Sequence, residues 1–314
     1  MPVHPLARRA GALAAAVSCT LLAAACGPDS QSADSAAPAV AGVDVKVDQS
    51  LHDALPGAIK SSGVVRVASD VPYAPFEMYA SAGSTRITGI DYDLGQALGA
   101  KLGVKFDFKP VKFEGIIAAI DAGQYDLAMS DMGDRKSREE KLDFVDYTQD
   151  GTGILVAKGN PSHLGAFTDL CGRPVSTEAG TNSEKFVKDS QHLCTDAGRP
   201  PIDLQTYPKD SDGQLAIKAG KVVAHVLDFA AAGYASATAD QGASFEVVKD
   251  PAAPNGYNST PNGIAVARSQ PQLADAVQKA LQQLIDDGTY GKILAKYGES
   301  SIAVAQAGRN TAVS

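Results

Sequence analysis

The chain has 314 residues, 44% of them hydrophobic and 20% charged, with a formal net charge of -8 at pH 7. That acidic balance excludes nucleic acid as the expected partner, because a phosphate backbone recruits a basic face. There is no P-loop and no G-x-S-x-G elbow, and the five histidines show no metal-ligand spacing, so neither a metal nor a cofactor is expected.

The first element is "LARRAGALAAAVSCTLLAAAC", in which Arg8 and Arg9 lead into a run of small apolar residues ending at Cys26. It reads as a secretory signal over residues 1–26 and is too short to span a membrane. "LLAAACG" resembles the lipobox of bacterial lipoproteins, which makes Cys26 the expected site of lipidation and the membrane anchor; Cys19 is the weaker candidate. Ala23 stands where a lipobox has leucine, so a cleaved, freely secreted protein is the other reading. The polar "GPDSQSADSAAPAVAG" opens an expected flexible tether over residues 27–60.

From Val64 the pattern alternates strand and helix. "VVRVAS" is a continuous apolar strand, and "DYDLGQALGAKLG" puts Leu94, Ala97, Leu98 and Leu102 on one helical face. Then come strand "VKFDFKP", a helix carrying Ile116, Ile117 and Ile120, and strand "YDLAM". The second block repeats this grammar with strand "RPVSTE", a helix starting in "AGTNSEKFVKDSQ", helix "GQLAIKAGK" and strand "VVAHVLD". Strands "FEVVKD" and "NGIAVAR" and a helix pair opened by Pro271 follow, and the small, polar tail 301–314 is expected to fray. The order implies two α/β lobes with parallel sheets. Cys171 and Cys194 are expected to form a disulfide, contributing about 3 kcal/mol; two free buried thiols are the alternative.

Open α/β sheets bind ligands beyond the carboxyl ends of their strands. Asp70 ends the first strand, Ser130 and Asp131 end "YDLAM", Glu178 with Gly180 and Thr181 ends "PVSTE", and Asp228 ends "AHVLD". In "EAGTNSEKF" a helix N-terminus can meet an anion, or Thr181 or Ser183 can simply cap the helix. The stretch "MSDMGDRKSREEKLDFV" adds a dense charge cluster at the same edge. Arg135, Lys136, Glu139, Glu140 and Lys141 read as its solvated helix face.

Eight segments in order, among them "VRVASDVPYAPFEM", "KFEGIIAAIDAGQYDLAMSDM", "GTNSEKF" and "DDGTYGKILAKYG", resemble the extracellular solute-binding proteins of polar amino-acid ABC transporters, from Val64 to Gly298. The resemblance implies a type II periplasmic-binding-protein-like fold of two α/β lobes around a cleft. Lobe one would hold residues 61–154 and 250–300 and lobe two residues 155–249, with hinge strands near 153–157 and 245–249. It also implies a monomer that hands an amino acid to a permease.

Residue by residue, Arg138 matches the arginine that grips the ligand carboxylate, as suits a guanidinium fork; pairing with Asp134 is its alternative role. Asp228 matches the carboxylate for the ligand ammonium, and the N–H groups of Thr181 and Asn182 match those that meet the ligand carboxylate. Tyr73 and Phe113 match the aromatic pair around the ligand side chain. Asp131 and Gly133 depart from the family pattern, and Glu178 stands where relatives carry glutamine, leucine or lysine. With Asp70 these carboxylates imply a cationic side chain, unless Glu178 points to solvent or caps the helix start. A dehydratase-like enzyme on the same fold, with Glu178 or Asp131 as general acid, is the alternative function; a ligand-sensing domain is a third.

Overall fold

Residues 42–312 of the chain are described from a computed structural model. The signal segment, Cys19, Cys26 and the tether up to residue 41 lie outside the described residues.

Two short helices come first, α1 (Gln49–Ala54) and α2 (Gly57–Ser62). The Asp48 carboxylate caps α1 by accepting from the N–H groups of Ser50 and Leu51, and Leu51, Leu55 and Ile59 are buried. The expected tether to residue 60 is thus corrected, because these apolar residues recur every four positions and give one stripe to the core. Pro56 between the two helices hides that period in the sequence.

The first lobe continues with β1 (Val64–Ser69), the small pair β2 (Met78–Tyr79) and β3 (Ile87–Thr88), α3 (Ile90–Leu102), β4 (Lys105–Pro110), α4 (Ile116–Asp121), β5 (Leu127–Ala128) and α5 (Lys136–Glu139). β1 lies parallel to both β4 and β5. Next, β6 (Leu142–Ala157) runs for 16 residues. The second lobe holds β7 (Pro174–Glu178), α6 (Asn182–Asp189), α7 (His192–Thr195), β8 (Asp203–Tyr207), α8 (Asp210–Lys218), β9 (Ala224–Asp228), α9 (Phe229–Thr238) and β10 (Phe245–Val247). β7 is parallel to β8 and β9. β11 (Tyr257–Ala267) returns, and α10 (Pro271–Asp286), α11 (Thr289–Lys296) and β12 (Ala303–Arg309) finish the chain.

The strand order is β4-β1-β5-β11-β6-β9-β7-β8, with β10 and β12 also on β6. Two parallel sheets therefore flank one antiparallel pair. β6 pairs with β11 from Leu142 to Thr152 and with β9 from Thr152 to Val156, so the crossings lie just before Gly153 and near Tyr257–Asn262. The hinges expected at 153–157 and 245–249 are corrected, since those segments pair with each other inside the second lobe. One unbroken strand carries no local mark where it leaves one lobe for the other.

Leu94, Leu98 and Leu102 of α3 pack in one core with Leu273, Val277 and Leu281 of α10. The second lobe has its own core around Phe167, Val175 and Val187. It also contains the Cys171–Cys194 disulfide, whose Cα atoms are 5.5 Å apart.

Up to Ala312 the tail does not fray as expected. β12 pairs with β6, Asn310 Oδ1 accepts from the Phe144 N–H at 2.7 Å, and the Ala312 N–H donates to Asp134 and Glu139 at 3.1 Å each. Docking uses backbone ladders and carboxylate acceptors, which apolar periodicity does not detect. Truncation after Ile302 should cost about 3 kcal/mol or more and lower the melting temperature by several degrees. An unchanged melting curve would refute this docking.

Candidate functional site

The carboxyl ends of β1, β5, β7 and β9 converge on one narrow cavity. It is lined by Asp70, Tyr73, Phe113, Ser130, Asp131, Gly133, Glu178, Thr181, Asn182 and Asp228, with Glu77 in addition.

The first-lobe wall is a hydrogen-bonded chain. The Asp70 N–H donates to Ser130 Oγ at 2.9 Å, and the Ser130 hydroxyl donates to Glu77 Oε1 at 2.6 Å. Asp131 adopts a positive φ of 41°, held by its N–H donating to Asp91 Oδ2 at 2.9 Å. Tyr147 of β6 in turn donates to Asp91 Oδ1 at 2.6 Å. The Asn262 amide donates to Asp131 Oδ1 at 2.6 Å. The other carboxylate oxygens of Asp131 and Glu77 are buried without a partner among the described residues. Burial first, then the charge of Asp228, raises the Asp131 pKa; burial and Asp91 do the same for Glu77.

In the second lobe, Thr181 caps α6, accepting from the Glu184 N–H at 3.1 Å and donating to the Glu178 carbonyl at 2.8 Å. The capping alternative is therefore realised, and it leaves the first amides of α6 without acceptors inside the helix. Asp228 accepts from the Tyr73 hydroxyl at 2.7 Å, a contact from one lobe to the other. Its pKa is raised to about 6, chiefly by burial. Glu178 neither points to solvent nor caps the helix: it is 6% exposed, its Oε1 has no partner among the described residues, and the Gly180 N–H goes to Glu184 instead. Burial and then Asp70 push its pKa up to about 11.

Arg138 is 2% exposed and does not pair with Asp134. Its Nη1 donates to the Gly133 carbonyl at 2.6 Å and its Nη2 to the Gly180 carbonyl at 2.8 Å, so one guanidinium bridges both lobes. It lies 5.3 Å from the Phe113 ring centroid, and burial with the charge of Arg135 lowers its pKa to about 9. Arg138 stands behind the cavity wall, the one expected site residue not lining it. A Cβ at Gly133 would overlap the Asn182 amide, which would have to turn aside. Of the charges assigned to a solvated face, Glu139 is buried and Arg135 reaches the Gly180 carbonyl at 3.4 Å.

Sequence reasoning missed Glu77, Asp91, Asn262 and Lys209. Glu77 and Asp91 were legible as acids inside otherwise apolar stretches; Asn262 and Lys209 gave no local signal. Lys209, just before α8, donates to Asp70 Oδ1 at 3.2 Å and to the Val71 carbonyl at 2.9 Å.

The family described as bacterial extracellular solute-binding proteins, family 3, matches residues 65–300. The L-cystine-binding protein TcyJ of Escherichia coli (strain K12) is 27% identical over 264 residues, covering 82% of this chain and 90% of that protein. An ancestral arginine-binding protein bound to arginine is 32% identical with a TM-score of 0.64, over 75% of this chain and 98% of that one. The ancestral amino acid-binding protein AncCDT-1, a precursor of cyclohexadienyl dehydratase, is 31% identical with a TM-score of 0.66, over 76% and 97%.

Because the Glu178 pKa rises from 4.5 to about 11 on folding, the fold favours its protonated form. That contribution is present below pH 4.5 and is lost as pH climbs toward 11. Glu178→Gln should therefore stabilise the protein increasingly with pH, by up to about 1.4 kcal/mol per unit. Parallel melting-temperature profiles of the two proteins between pH 5 and 9 would contradict this.

Proposed function

Because the chain belongs to the bacterial extracellular solute-binding proteins of family 3, we propose that it captures an amino acid with a positively charged side chain and passes it to the permease of an ABC transporter. One observation carries the charge preference: five carboxylates, Asp70, Glu77, Asp131, Glu178 and Asp228, line a single cavity. Like charges at this density are costly out of water unless a cation joins them or protons stay on. The arginine bound by the ancestral relative has that chemistry.

In this reading the ligand ammonium takes the place of the Tyr73 hydroxyl on Asp228. The α-carboxylate meets the opening amides of α6 at Thr181 and Asn182 and draws on Arg138, whose Nη2 turns from the Gly180 carbonyl. Tyr73 and Phe113 flank the side chain, whose cation reaches Asp70 and Glu178. Opposite charges from two lobes hold one amino acid, so closing the lobes is part of binding. The protein acts as a monomer by binding alone, held on the outer face of the membrane by a lipid on Cys26. A second reading, dehydration of a bound acid, rests on Glu178 as a protonated carboxyl in the cavity wall.

Arginine, lysine and ornithine should each raise the melting temperature, by an amount equivalent to about 2.7 kcal/mol at a hundredfold excess over Kd. Arg138→Ala should weaken all three alike. A larger shift with glutamate would sink the charge argument, and a cyclohexadienyl acid recovered without its water would move the assignment to the enzyme. Cys26→Ser should shift the protein from the membrane fraction to the medium; continued membrane retention would dismiss the anchor.

A further inference from the structure

Lys209 belongs to the second lobe and Asp70 to the first, yet the Lys209 Nζ lies 3.2 Å from Asp70 Oδ1 and 2.9 Å from the Val71 carbonyl. Asp70 is buried, whereas the lysine side chain is 34% exposed. Lys209 does not line the cavity. It reaches Asp70 from the rim, while the other Asp70 oxygen accepts from the Phe113 N–H at 3.2 Å inside. On the cavity side stands Glu178, with one oxygen that has no partner among the described residues. A buried carboxylate with a cation at the rim and an open approach from the cavity can exchange one counter-ion for another.

We propose that Lys209 sets which side chains the cleft accepts. It serves as the counter-ion of Asp70 when the ligand side chain is uncharged, and yields that carboxylate to a ligand that brings its own cation. Its long, half-solvated stem allows the exchange, since the ammonium can move to water without unfolding α8. The cleft then tolerates neutral side chains of the same length despite its five carboxylates. The inference rests on the reading of the cleft as an amino-acid site.

Calorimetric titration of the native chain, Lys209→Met and Lys209→Arg with L-arginine and L-citrulline tests it. Citrulline replaces the guanidinium by an uncharged ureido group of nearly the same shape. Lys209→Met should lose roughly tenfold or more in citrulline affinity and keep arginine affinity within a few-fold, while Lys209→Arg retains both. Equal losses for the two ligands would make Lys209 a packing residue and overturn the inference, as would no change for either. A native chain that binds arginine and not citrulline also overturns it while leaving the amino-acid reading intact. A native chain that binds neither overturns that reading, and the role of Lys209 with it.

Discussion

β6 hydrogen-bonds to β11, β12, β9 and β10, and each lobe's parallel sheet joins the rest of the molecule through it or through β11. Because a strand must satisfy its backbone on both sides, sixteen consecutive residues of β6 fix where both lobes stand. The same strand reaches the site. Tyr147 on β6 holds Asp91, and Asp91 holds the strained turn at Asp131. The docked tail adds to this spine, since Asn310 and β12 cover its outer edge.

The electrostatics of the cavity follow from one rule, that a buried carboxylate needs a donor or a proton. Asp70 has Lys209, Glu77 has the Ser130 hydroxyl, Asp131 has the Asn262 amide and Asp228 has the Tyr73 hydroxyl. Among the described residues no donor meets Glu178 Oε1, and burial with Asp70 raises its pKa to about 11, as burial also raises those of Glu77 and Asp131. Two of the four donors, Lys209 and Tyr73, come from the lobe opposite their acceptor. Arg138 spans the same gap between the Gly133 and Gly180 carbonyls. The polar residues that recognise a ligand are therefore also those that hold the lobes together.

Much of the site was legible because strand ends are local events. Asp70, Asp131, Glu178 and Asp228 each terminate an apolar run that reads as a strand in any context, and β1, β5, β7 and β9 do end at or within a few residues of them. Elements whose stability comes from elsewhere were read poorly. The helices around Leu51 and Ile59 lie astride a proline, and the tail is small and polar. The crossing points fall inside one strand. α5 is only four residues long, too short to bring all its charges to solvent, so Glu139 turned inward to meet the Ala312 amide.

The sequence by itself determined the order of strands and helices, the fold class and the carboxylates on the binding edge, because apolar periodicity and chain punctuation act over a few residues. Only the tertiary structure decided which partner each carboxylate would have. Lys209 lies 139 residues from Asp70, Asn262 lies 131 from Asp131 and Asp228 lies 155 from Tyr73. Spacing along the chain carries no information about such pairs. They are set when distant segments fold together, two of the three across the cleft, where burial forces each charge to find whatever donor the fold presents.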